Sequence, residues 1–138
     1  MIKPLPVLIV IGILVGMVSG LSGPPDAVLG ELNNSTKEAP VEYSMSVGLV
    51  NGTIVYTLVD GMGTHNNTVV NTTAILMEAQ HYEVHEVMLV HNHPNHACYP
   101  SEFDTATLRG MSSDLVRYGI TLRYGVILCG PYYTYYGM

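Results

Sequence analysis

The sequence predicts an α/β fold, a sandwich built on one mixed β-sheet. Short strand-type runs alternate with helix-type segments along the chain. Asn51-Gly52 separates two alternating apolar stretches, a strong short-range hairpin signal. Val87-Met88-Leu89-Val90 is a short apolar run closed by a turn, the pattern of a buried strand.

The elements follow in order. Lys3 precedes an almost wholly apolar run from Leu5 to Val18, and small residues and prolines follow through Pro25. A basic start, an apolar core and small residues fit a signal peptide over 1–23, cut near Gly20 or Gly23, or an uncleaved membrane anchor through residues 5–21. Either reading places the rest of the chain outside the cytoplasm. Residues 24–40 are rich in Pro, Asn, Ser and charge and read as a linker, leaving 41–138 as the folded domain. Tyr43 to Val50 and Thr53 to Val59 are the hairpin strands, and Asp60 to Asn67 a Gly/Asn-rich loop. Asn71 suits the cap of a helix reaching about Tyr82. The Glu86–Val90 strand follows. A second helix is capped by Ser101 and reaches about Tyr118, with Phe103, Leu108, Met111 and Leu115 roughly on one face and Gly119 as its stop. Ile120 to Cys129 and Tyr132 to Tyr136 are strands, the last an edge or a substrate-facing aromatic strip.

The chemistry is concentrated between His91 and Asp104, which read H-x-H-P, a short loop, then S-x-x-D. Residues two apart on an extended backbone point to the same side, so His91 and His93 face one way as the strand ends. Pro94 turns the chain, and Ser101 starts a helix whose first turn holds Asp104. Two imidazoles and a carboxylate can hold one Zn²⁺ and leave a coordination position for water, which separates a catalytic zinc from a structural one. The bland reading is a polar turn followed by a capping box.

At these residues the chain resembles the JAMM (MPN+/JAB) metalloprotease family, whose pattern is an upstream Glu, H-x-H, seven residues, then S-x-x-D. Pro94 to Pro100 supply the seven. Leu89-Val90-His91-Asn92-His93-Pro94 looks most like the RadC-type branch, and the likeness runs over about residues 40–138. It implies a JAMM-like fold and zinc hydrolysis of peptide or isopeptide bonds, including those of ubiquitin-like conjugates. His91, His93 and Asp104 match the zinc ligands, and Ser101 the residue that orients water and stabilises the oxyanion. Glu42 matches the general base, since it opens a strand, with Glu38 as its competitor. Leu122-Arg123-Tyr124-Gly125 stands where RadC-type sequences commonly carry an Asp-His pair. Two other readings stay open. One is a non-catalytic module whose zinc takes a fourth ligand from Cys98 or His96, and the other is a RadC-like, DNA-associated protein.

The formal net charge of −6, with five Lys and Arg, argues against a nucleic-acid partner. Asn33, Asn34, Asn51, Asn66 and Asn71 each begin N-x-S/T. In an oxidising compartment Cys98 and Cys129 can pair and pin the motif loop, or they stay as buried thiols. His65, His81, His85 and His96 read as surface or polar-network residues, with His96 placed to reach a substrate. The expected protein is an exported or membrane-anchored zinc metallopeptidase acting on cell-envelope or secreted peptides.

Overall fold

A computed structural model describes residues 21–64 and 70–137. Residues 1–20, which hold most of the expected signal or anchor, lie outside the described residues, as does His65. Among the described residues no helix is long and apolar enough to cross a membrane.

The order is α1 (Pro25–Thr36), β1 (Tyr43–Val50), β2 (Thr53–Met62), α2 (Thr72–His81), β3 (Glu86–Asn92), α3 (Glu102–Val116), β4 (Thr121–Leu128) and β5 (Tyr133–Tyr136). The five strands form one sheet in the order β2-β1-β3-β4-β5. β3 and β4 run parallel and the other neighbours antiparallel, so the sheet is mixed as expected. The parallel pair needs a crossover, and α3 provides it. This puts the end of β3 and the start of α3 side by side.

Side chains of β3 alternate between two cores. Met88 and Val90 face α1, where Val28, Leu29 and Leu32 pack on Met45, Val47, Val126 and Leu128. Val87 and Leu89 face the other layer, where Ile75 and Ala79 of α2 join Leu108, Met111 and Leu115 of α3. Burial on both faces is why Val87 to Val90 reads as an unbroken apolar run.

Three expectations change. The stretch 24–40, expected as a linker, contains α1. Pro25 suits the first helical turn, and Val28, Leu29 and Leu32 make an apolar stripe on the sheet. The polar residues that suggested a linker include exposed Glu31 and Asn34 on its outer side. Phe103 is not on the buried face of α3. That face is Asp104, Leu108, Met111 and Leu115, at helical spacing, and Phe103 is 53% exposed. β2 runs on to Met62 and β3 to Asn92, so His91 lies within the strand.

The hairpin turn falls at Asn51-Gly52, both at positive φ, and Gly119 at φ 74° follows α3. Cys98 and Cys129 form a disulfide with Cα atoms 5.3 Å apart, which settles the pairing in favour of the bridge. Asn33 is buried, its amide bonding the Gly130 carbonyl at 2.9 Å and the Gly130 N–H at 3.0 Å, which closes that sequon to a glycan.

Candidate metal centre

β3 delivers His91 and, one residue past its end, His93. The first turn of α3 delivers Asp104. The donor atoms of the three lie within 4.8 Å of one another. His91 Nε2 and His93 Nε2 are 2.9 Å apart, and Asp104 Oδ2 is 3.3 Å from the first and 3.2 Å from the second. Donors about 2.0–2.1 Å from a tetrahedral ion sit roughly 3.3 Å from each other, so this spacing fits one ion.

The tautomers sharpen the fit. His93 Nδ1 is 2.9 Å from the Ala97 carbonyl, which can only accept. The Nδ1 proton is thereby fixed, and Nε2 presents a lone pair toward His91. Such nitrogens facing each other beside a carboxylate call for a proton or a cation between them. The electrostatics agree. Burial works against charge on His93, but the hydrogen bonds to Asp104 and Ala97 and the charges of Asp104 and Glu42 outweigh it and raise its pKa. Burial likewise opposes the Asp104 carboxylate, yet His91, His93 and the Ser101 N–H hold it well below the usual carboxylate range.

Ser101 and Asp104 form a capping box. Ser101 Oγ accepts from Asp104 N at 3.0 Å, and Asp104 Oδ2 accepts from Ser101 N at 2.9 Å. The capping and metal readings of S-x-x-D therefore coincide on one carboxylate oxygen. The cap orients Asp104, and the Ser101 hydroxyl proton remains available to another acceptor.

Glu42, 4% exposed, comes to the same place, with Oε1 3.8 Å from His93 Nε2. Glu38 is exposed in the turn after α1. The backbone of Glu42 is held on both sides, its N–H by the Thr64 carbonyl and its carbonyl by the Gly63 N–H, each at 2.8 Å.

Asn92, between the two histidines, was not singled out by sequence reasoning. Its Oδ1 accepts from Tyr43 N at 2.7 Å and its Nδ2 donates to the Val41 carbonyl at 3.0 Å, bracketing Glu42. The signal was a polar residue inside an apolar strand. Asn92→Ala leaves the buried Tyr43 N–H and the part-buried Val41 carbonyl without this partner. An expected loss of about 2–4 kcal/mol follows, measurable as a lower urea midpoint at unchanged slope.

Tyr136 was also missed. Gly125 beside it on β4 has no side chain, and a Cβ there would run into the Tyr136 ring. The ring therefore lies across β4, edge-on to His91 at 5.9 Å between centroids. Burial first, then the charges of Asp104 and Glu42, push its phenol pKa up. With Ser44, Leu89, Phe103 and Thr107 it lines a cavity of about 20 Å³ beside the cluster, room for one water. Tyr132 and Tyr135 of the same segment are exposed. Ser44 Oγ in turn bonds Asp60, whose pKa is raised by burial against its hydrogen bonds from Asn71 and Ser44.

The other expected residues fall elsewhere. His96 Nε2 donates to the Lys37 carbonyl at 3.0 Å, and Cys98 is consumed in the disulfide. Among the described residues the converging donors are those of His91, His93 and Asp104, and His96 is not in that group. His81 and His85 are exposed. Arg123 pairs with Glu86 at 3.1 Å and lies over the Tyr124 ring, on the strand where an Asp-His pair was absent.

A family model described as "RadC-like JAB domain" matches residues 51–137. The match includes His91, His93, Ser101 and Asp104 and starts after Glu42. Among curated proteins, none matches the chain.

Proposed function

The chain belongs to the RadC-like JAB domain family, and on that premise we propose a metal-dependent hydrolase of peptide or isopeptide bonds. The observation that supports it is the convergence of His91, His93 and Asp104 on one point with Glu42 beside them. We take the ion to be Zn²⁺, because two imidazoles and one carboxylate hold zinc in hydrolases and the proposed reaction needs a Lewis acid without redox chemistry. Bound there, zinc supplies Lewis acidity that lowers the pKa of a water toward neutrality and polarises a carbonyl.

The side chains do the rest. Glu42 accepts the proton of the attacking water as its oxygen bonds the carbonyl carbon. The same carboxyl then returns that proton to the departing amine as the C–N bond breaks. Ser101 donates its hydroxyl proton to the negative charge developing on the carbonyl oxygen. The Asp104 N–H, bonded to Ser101 Oγ, leaves that proton free to turn outward. Asn92 and the Gly63 and Thr64 backbone keep Glu42 from swinging away.

A module with a fully coordinated structural zinc fits less well, because Cys98 is in the disulfide and His96 does not join the three converging donors. We place the domain outside the cytoplasm, from the apolar run Leu5 to Val18 and from the disulfide. Cell-envelope or secreted peptides are then better substrates than intracellular ubiquitin-like conjugates. The net charge of −6 disfavours a nucleic-acid partner.

The test is a zinc-loaded full-length chain mixed with a peptide pool and read by mass spectrometry. Cleavage should stop with a chelator and resume on adding zinc. Cleavage that ignores both the chelator and His93→Ala would sink the proposal.

A further inference from the structure

The histidine that faces both carboxylates is held by a closed ring of contacts. The His93 N–H donates to the Leu128 carbonyl at 3.0 Å, at the last residue of β4. The next residue, Cys129, is fully buried and bridged to Cys98. The residue before Cys98 is Ala97, whose carbonyl accepts from His93 Nδ1 at 2.9 Å. The path therefore leaves His93 by its backbone, crosses β4 and the disulfide, and returns to the His93 ring. No helix or strand holds the Ala97 carbonyl, since residues 93–101 lie between β3 and α3 without regular structure. Besides the bridge, the nearby ties are Asn95 Oδ1, which accepts from Ala97 N at 3.0 Å, the His96 N–H to the His93 carbonyl at 2.9 Å, and the His96 ring to Lys37.

We propose that the Cys98–Cys129 disulfide is a positioning element for the metal centre: it holds the Ala97 carbonyl that fixes His93 with Nε2 free to ligate, so metal affinity depends on thiol redox state. The inference rests on reading His91, His93 and Asp104 as a metal site. A partner on the far nitrogen sets both the tautomer and the aim of a ligating imidazole, and such partners matter greatly to affinity. Cys98 is partly exposed and Cys129 fully buried, so a reductant approaches the bridge from the Cys98 side. In reduction by a small thiol, two thiols give up two electrons and two protons and join as their own disulfide, while the bridge becomes Cys98 and Cys129 thiols.

The experiment uses a phosphine, which binds zinc far less than a dithiol does. It takes up the oxygen of one water to give the phosphine oxide, and the bridge takes the two protons and two electrons. Zinc affinity of the full-length chain is measured before and after by competition with a chromophoric chelator, and far-UV circular dichroism checks the fold. Co²⁺ replaces Zn²⁺ in parallel to give a visible spectrum of the ligand geometry. Reduction should weaken zinc roughly 10–100-fold and shift the cobalt bands while the fold persists. Cys98→Ser with Cys129→Ser should reproduce the weak state without phosphine. Asn95→Ala, which keeps the bridge, should move the cobalt bands in the same direction by less.

Unchanged affinity and spectrum in the reduced and double-serine chains overturns the proposal. So does tighter binding with a new sulfur-to-cobalt band, which would make a freed cysteine a ligand. Failure of the oxidised wild type to bind zinc is a different result: it removes the metal site itself.

Discussion

Glu42→Gln is expected to cut turnover about 10²–10⁴-fold while leaving zinc affinity within a few-fold of wild type. The amide has nearly the shape of the carboxylate but cannot take a proton from water. Oε1 stands 3.8 Å from His93 Nε2, within reach of a water at the proposed metal site and outside the group of three converging donors. The neighbouring backbone, held by Asn92, Gly63 and Thr64, does not need the charge. The loss should therefore fall on kcat, with KM nearly unchanged. A Glu42→Gln chain as active as wild type, on a substrate whose cleavage the chelator stops, would remove Glu42 from the proton transfers and reopen Glu38.

Asp104→Ala should act on both metal and fold. It removes one of the three proposed ligands, so zinc affinity should fall by more than the roughly 10–100-fold that follows loss of an outer partner. It also removes one side of the capping box, costing about 1 kcal/mol of stability in the metal-free chain. Asp104→Asn separates the two effects, since its amide oxygen can still accept from Ser101 N. Competition titration and urea melts of both variants make the comparison. Equal zinc affinity in Asp104→Ala and wild type would place the ion elsewhere.

The metal-free pH dependence has a definite sign. Asp104 has a lowered pKa in the fold, so its contribution is full above about pH 4 and fades as pH falls through the folded value. His93 has a raised pKa, so its contribution is full below about pH 6.5 and fades as pH rises through the folded value. The cluster thus stabilises the metal-free chain most between those limits. Asp104→Asn should flatten both sides of that window in urea midpoints.

The sheet and the His91-His93-Asp104 cluster were legible because their signals are local. Asn51-Gly52 marks the hairpin by backbone conformation, and the H-x-H to S-x-x-D spacing joins a strand end to a helix start. α1 was not legible, because a helix packed by only a few aliphatic residues looks like a polar linker until its partner face is known. Phe103 is hydrophobic but falls about 100° round the helix from Asp104, outside the buried face, so helical phase and not hydrophobicity decides its exposure. Asn92, Tyr136 and the ring through Cys98 and Cys129 depend on neighbours far along the chain. No spacing rule reveals that Asn92 reaches Val41 and Tyr43, or that Gly125 makes room for Tyr136 beside His91.

X-ray absorption at the zinc edge of the oxidised, zinc-loaded chain reads the ligands of the proposed site directly. About one zinc with four nitrogen or oxygen neighbours near 2.0–2.1 Å, two of them imidazoles and none of them sulfur, is the expected result. A folded chain that retains no zinc, or a zinc with sulfur near 2.3 Å, would contradict it.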